Sequence, residues 1–177
     1  MIETERLLLR DWREEDLDPF VRHTNTPAVM RWLGGVQDPE ALKARWRERV
    51  FDRQEALGFT FWAVERKEDG ALLGFCGLKI SNEPNSPVNG EYEAAWRFRE
   101  DSWGQGYARE AAFATLDFAL GRLAAPRVVA LTVPGNRRSR GLMERHGMHR
   151  RADLDFEGAP WAEGKTIVYE ICREDET

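Results

Sequence analysis

The stretch that decides the fold reads Glu91-Tyr92-Glu93-Ala94-Ala95-Trp96-Arg97-Phe98 and, after a short link, Trp103-Gly104-Gln105-Gly106-Tyr107-Ala108-Arg109-Glu110-Ala111. Its first half alternates. Tyr92, Ala94, Trp96 and Phe98 fall on one face and Glu91, Glu93, Ala95 and Arg97 on the other, which is the period of a strand. Its second half opens a helix, expected from Ala108 to Leu123, with Ala111, Ala112, Leu116, Ala119, Leu120 and Leu123 as the apolar positions. Between them lies a loop with two glycines. The free N–H groups at a helix N-terminus converge on one point, and the helix dipole favours an anion there. Glycine lets backbone come close because it has no Cβ. The same two glycines also serve a plain tight turn, so the loop alone names no ligand. Two other anion motifs are excluded. A dinucleotide fingerprint would place a third glycine where Arg109 stands. A P-loop would end in Gly-Lys-Ser/Thr, and this loop does not.

Working outward, Leu7-Leu8-Leu9 suits a first strand. Glu14-Glu15-Asp16 is an acidic helix start, followed by Leu17, Phe20 and Val21 at helical spacing. Pro27 is expected to end or interrupt that helix. Asp38-Pro39-Glu40 reads as a cap and first-turn proline for a second helix, with Leu42, Trp46 and Val50 on one side. Phe59 to Glu65 and Leu72 to Ile80 read as a hairpin around Lys67-Glu68-Asp69-Gly70. Residues 81–90 form a loop. Val128 to Val133 is a β-branched strand, a short helix runs from about Asn136 to His146, and Met148 to Leu154 and Lys165 to Cys172 are the last strands. The order predicts an α+β fold with a mixed, mostly antiparallel sheet of about seven strands and about four helices, as one domain over residues 1–177.

The chain's 177 residues can bury a full core. A net charge of −5 argues against generic nucleic-acid binding, and no direct nucleic-acid partner is expected. No run approaches the roughly 20 apolar residues of a membrane span, and the charged N-terminus lacks the apolar segment of a signal peptide. Cys76 and Cys172 read as buried free thiols, consistent with the cytoplasm. His23, His146 and His149 have no metal-ligand spacing, so no metal is expected.

The glycine segment Trp103 to Ala111 resembles motif A of the GNAT superfamily of N-acetyltransferases. Trp103 departs from the usual Gln or Arg, as is typical of the ribosomal-protein N-acetyltransferase branch. Thr4-Glu5-Arg6-Leu7-Leu8-Leu9-Arg10 resembles that branch's opening strand, and Phe61-Trp62-Ala63-Val64 with Gly74-Phe75-Cys76-Gly77-Leu78 its central hairpin. Asn136-Arg137-Arg138-Ser139 followed by Gly147-Met148 resembles its later helix. The likeness runs from Glu5 to Cys172.

The resemblance implies a twisted sheet splayed between the fourth and fifth strands, with acetyl-CoA as co-substrate. Trp103, Gly104, Gln105, Gly106, Tyr107, Ala108 and Arg109 would hold its pyrophosphate. Backbone groups around Trp96, Arg97 and Phe98 would pair with the pantetheine arm, and one N–H would stabilise the developing oxyanion. Glu93 is the implied base, directly or through water, with Glu91 in reserve and beside the substrate; both also read as ordinary strand carboxylates. Ser139 would orient the thiol or relay a proton, or only bond at the helix start. Asn136 would bond the pantetheine, cap the helix, or do both. Many relatives carry a tyrosine where Met143 stands, so that phenol donor is missing. Arg109, Arg137, Arg138, Arg140, Arg145, Arg150 and Arg151 are candidates for the phosphates or simply a solvated face. Trp32, beside Gly34-Gly35, is the candidate contact for the acceptor, whereas Trp46 and Trp62 suit the core. The implied activity is acetyl transfer to a primary amine, on a small molecule or a protein N-terminus, by a monomer or homodimer. A non-catalytic acyl-CoA-binding module is the alternative.

Overall fold

The structure, a computed structural model, describes residues 1–173 and, among these, omits the side chains of residues 52–56. Its strands are β1 (Ile2–Glu3), β2 (Leu7–Arg10), β3 (Phe61–Arg66), β4 (Leu72–Ile80), β5 (Tyr92–Phe98), β6 (Arg127–Thr132), β7 (His149–Glu157) and β8 (Lys165–Cys172). They form one sheet in the order β1-β2-β3-β4-β5-β6-β8-β7. Among the described residues only β5 and β6 run parallel. The sheet has eight strands rather than the expected seven or so, because Ile2 and Glu3 pair with Leu9 and Leu8. Two residues are too few to show an alternation.

The helices are α1 (Leu17–Thr24), α2 (Pro27–Met30), α3 (Pro39–Leu57), α4 (Tyr107–Asp117) and α5 (Arg137–Arg145). Pro27 does not end α1, which stops at Thr24. It opens α2 as the first residue, with the Thr26 hydroxyl accepting from the Val29 N–H at 3.4 Å. A proline costs nothing where the N–H has no helical partner. The expected cap of α3 is present: Asp38 accepts from the Ala41 N–H at 2.8 Å. Beyond Asp117 the long predicted helix widens into a π turn over Phe118–Arg122. Among the described residues no helix is long and apolar enough to cross a membrane.

The alternation of β5 divides the core as expected. Ala94 and Phe98, with Trp62, Val64, Cys76 and Leu78, pack under Ala111, Ala112 and Leu116 of α4 and Leu142 and Met143 of α5. On the other face Phe61, Ala63 and Phe75 meet Leu17, Phe20 and Val21 of α1 and Leu42, Trp46 and Val50 of α3. Burying each large side chain of this kind contributes roughly 1.5–3 kcal/mol. The entry to α1 is fixed by a buried pair: Arg10 donates from Nη1 and Nη2 to the two Asp16 oxygens at 2.7 and 2.9 Å. Trp46 and Trp62 are core residues. Cys76 is buried but Cys172 is exposed, against expectation, because it is the last residue of β8.

The feature that positions the site is the β5–β6 pair. It holds only at Tyr92↔Val128 and Glu93↔Val129, whereas β5 pairs with β4 along its whole length, from Tyr92↔Ile80 to Phe98↔Gly74. Past Glu93 the two parallel strands diverge. One backbone edge of residues 94–98 is left without a strand partner.

Candidate active site

The glycine loop stands at the far end of that open edge. Gly104 and Gly106 have φ of +77° and +85°, the left-handed region that glycine enters without strain. A Cβ on Gly104 would meet nothing within 4 Å, so the space above it is free. Gly106 is the N-cap of α4, and no side chain among the described residues caps that helix. The first-turn N–H groups of α4 therefore have no intrahelical acceptor and no capping oxygen, the condition for binding an anion. Residues of this set fit a diphosphate on chemistry alone.

The side chains in the loop serve the scaffold. Tyr107 is buried in the core beneath α4. Gln105 donates to the Asp101 carbonyl at 2.8 Å, and its own carbonyl accepts from Arg6 Nη1 at 2.9 Å. Arg6 also pairs with Glu110 at 2.7 Å and lies over the Tyr107 ring, 4.6 Å from its centroid. The sequence reading missed Arg6 because it stands about a hundred residues from the loop it braces. Ala108 is half-buried and Arg109 exposed. Trp103 donates from Nε1 to the Phe98 carbonyl at 2.9 Å, which ties the loop to the end of β5.

Across the splay, Asn136 caps α5: its Oδ1 accepts from the Ser139 N–H at 3.3 Å. The Ser139 hydroxyl is half-buried and has no hydrogen bond among the described residues. Met143 is buried in the core. The Tyr169 phenol donates to Glu144 at 2.8 Å. Of the basic run, Arg137 and Arg138 are exposed on the first turn of α5, whereas Arg150 and Arg151 are paired with Asp155, Asp153 and Glu170 on the outer strands. Arg140 is also engaged, with the Pro134 carbonyl at 3.1 Å.

Glu93 stands on the last paired rung before the strands part. It is not a solvent-facing strand carboxylate: it is 5% exposed. Lys79 Nζ lies 3.3 Å from its Oε2 and 2.6 Å from Glu83, and Lys79 is itself buried. Burial pushes the Glu93 carboxyl above its ordinary range, while the Lys79 charge and the neighbouring Ser81 hydroxyl pull it back. Oε2 makes no hydrogen bond among the described residues and is held by the Lys79 charge at 3.3 Å. Glu91 lies on the closed side of the fork and is held by Arg127 at 2.5 Å.

Arg97 sends its side chain to the face of α1 and α3, opposite the glycine loop's helix. Its guanidinium carbon lies 5.6–5.7 Å from the rings of Phe20, Trp46 and Phe75. Burial, with the like charge of Arg49, pushes its pKa down to about 10. Trp32 packs its ring against Gly135, the residue before Asn136, where a Cβ would come within 2.7 Å of the indole. The structure thus joins the end of the 94–98 edge to the glycine loop through Trp103, and that loop to the first turn of α5 through Arg138, with Asn136 and Ser139 on that turn, Trp32 seated just before it and Glu93 at the fork. It leaves Glu91 outside.

These features find company among known proteins. The family model described as Acetyltransferase (GNAT) domain matches residues 6–149. The uncharacterized protein YkkB of Bacillus subtilis (strain 168) is 32% identical over 149 residues, 82% of this chain and 83% of that protein. A solved acetyltransferase (GNAT family) from Bacillus anthracis superposes with a TM-score of 0.79 at 25% identity, covering 98% of this chain and 99% of its own. The ribosomal-protein-S5-alanine acetyltransferase of Vibrio fischeri shares the fold, with a TM-score of 0.71 at 19% identity over 99% and 97% of the two chains.

Proposed function

The chain belongs to the GNAT acetyltransferase family, and we propose that it transfers acetyl from acetyl-CoA to a primary amine, on a small molecule or a protein N-terminus, by direct attack in a ternary complex. The observation that carries this reading is the fork at Glu93. A buried carboxylate whose Oε2 makes no hydrogen bond stands where two parallel strands part, and the open edge leads to an uncapped helix with a left-handed glycine loop.

Acetyl-CoA supplies an activated thioester. The α4 N-terminus and the loop from Trp103 to Arg109 hold its diphosphate, and the free edge around Trp96, Arg97 and Phe98 aligns the pantetheine arm as a strand would. Asn136 and Ser139 flank the arm from the opposite wall. A backbone N–H of the open edge stabilises charge developing on the carbonyl oxygen. Glu93 takes the proton that leaves the amine as its nitrogen bonds to the acetyl carbon. The carbon–sulfur bond breaks and the thiolate departs, with the Ser139 hydroxyl placed to return a proton. Thiolate is a tolerable leaving group, so the missing phenol at Met143 is no obstacle. The thiols argue against an acyl-enzyme route. Burial pushes Cys76 up to about 12, and Cys172 sits at the outer end of β8.

The test is thiol release from acetyl-CoA against a panel of amines and N-terminal peptides, with products identified by mass. Amine-dependent release is expected. Tight CoA binding with no amine-dependent release across the panel would favour the non-catalytic acyl-CoA-binding module.

A further inference from the structure

We propose that Arg97 anchors a carboxylate of the acceptor, so that the amine this protein acetylates belongs to a molecule that also carries an acid group. This rests on the amine-acetylation reading and deepens it.

Among the described residues Arg97 is anomalous: it is half-buried, and its inward nitrogens lack what the other inward-turned cations have. Arg10 has both Asp16 and Glu65, and Lys79 has both Glu83 and Glu93. Arg97 has no ion pair and no hydrogen bond among the described residues, and its Nε and Nη1 are buried without a partner. Among the described residues the charge that acts on it is Arg49, of the same sign. Three aromatic rings offset part of the cost through their π faces, yet they leave the N–H donors unanswered. Leaving a buried charge without a counter-ion is costly, and an incoming anion removes that cost.

The position gives the anion its role. Arg97 lies on the open edge of β5, and its side chain shares a face with Glu93, four residues and about 13 Å of strand away. The helix α4 and its loop, where CoA phosphates fit, lie on the opposite face, so the anion in question belongs to the acceptor. A planar guanidinium presents parallel N–H groups that match the two oxygens of a carboxylate.

The experiment pairs glycine, 4-aminobutyrate and 6-aminohexanoate with their carboxamides, which keep the amine and chain but lose the charge. For at least one chain length the acid form is expected to exceed its amide in kcat/KM by about 10- to 100-fold, the range of a charge-assisted hydrogen-bond pair. In Arg97→Met that ratio is expected to fall to about one. Arg97→Gln gives the same reading if the Met variant does not fold, as judged by circular dichroism. Equal rates for every acid and amide in the wild type, or a ratio unchanged in the folded variant, would overturn the proposal. If no amine turns over at all, the amine-acetylation reading fails, and calorimetric binding to the CoA-loaded protein decides Arg97. Acid-selective binding lost in the variant then upholds the anchor, and equal binding of acid and amide overturns it.

Discussion

The Arg138 guanidinium lies over the Trp103 ring, 4.5 Å from its centroid, and so links the first turn of α5 to the loop before α4. The contact joins the two elements proposed to hold CoA. Because Arg138 is exposed, a cation–π contact of this kind contributes about 0.5–1 kcal/mol. We expect Trp103→Ala and Arg138→Ala each to weaken CoA binding several-fold. In a double-mutant cycle on the CoA Kd the two should fall short of additivity by about that energy. Strict additivity would show that the pair does not act together in holding the cofactor.

Gly104 offers the sharpest probe of the cradle. Its left-handed backbone disfavours any side chain, by roughly 1–2 kcal/mol, but no protein atom stands in the way of one. Gly104→Val should therefore fold, with a modest loss of Tm, and should lose CoA affinity by tenfold or more as the methyls fill the anion's space. A folded variant with wild-type CoA affinity would remove the loop from the cofactor site.

The pH dependence of turnover follows from Glu93. Burial raises its pKa above the ordinary carboxylate value and Lys79 opposes the shift. A base works when ionised, so the rate should fall as pH drops through that raised pKa. Lys79→Met removes the opposing charge, and the acid limb should move to higher pH. Glu93→Gln should lose most activity near neutral pH and recover at high pH, where a free α-amine with a pKa near 8 is already neutral. An acid limb that stays in place in both variants, measured as kcat/KM against pH, would take the base role from Glu93.

How far the sequence foretold this site depended on the range of the interactions. The faces of β5, the cap at Asp38 and the loop from Trp103 to Arg109 are local patterns, and each stood where periodicity and glycine placed it. The burial of Glu93 was invisible, because alternation assigns a face but not what covers it. Lys79 is its cross-strand neighbour and Glu83 comes from the following loop. Arg6 at the glycine loop and the lone guanidinium of Arg97 likewise depend on segments far away in the chain. Trp32 could be guessed beside the cleft from its glycines, yet its seat on Gly135 is purely tertiary.

Stability should depend heavily on one buried pair. Asp16 receives two hydrogen bonds from Arg10 and a third from the Arg13 N–H at 2.8 Å. Asp16→Asn keeps the shape but leaves the buried Arg10 charge with Glu65 alone. Removing one partner of such a pair costs about 3–5 kcal/mol. For a chain of this size that lowers Tm by about 10 °C. Thermal unfolding followed by circular dichroism checks it; a shift under 2 °C would show that Glu65 suffices as counter-ion.

Trp32, proposed to face the acceptor, is seated on Gly135 beside the turn proposed to hold the cofactor. A Cβ on Gly135 would lie 2.7 Å from Cη2 and 2.8 Å from Cζ3 of the indole, closer than carbon atoms approach without one moving. Gly135 does not use a left-handed backbone, so alanine there adds a clash but no strain of φ. The ring must tilt, because Gly135 is bound into the turn that leads to the Asn136 cap. In Gly135→Ala the acceptor KM should rise several-fold while the CoA Kd stays within about twofold, since a tilt at Trp32 costs contacts with the acceptor alone. The decisive measurement adds Trp32→Ala. With the ring gone there is nothing left to displace, so Gly135→Ala should have no further effect on KM in that background. A second, equal rise would mean that Gly135 acts through the turn and that Trp32 does not touch the acceptor.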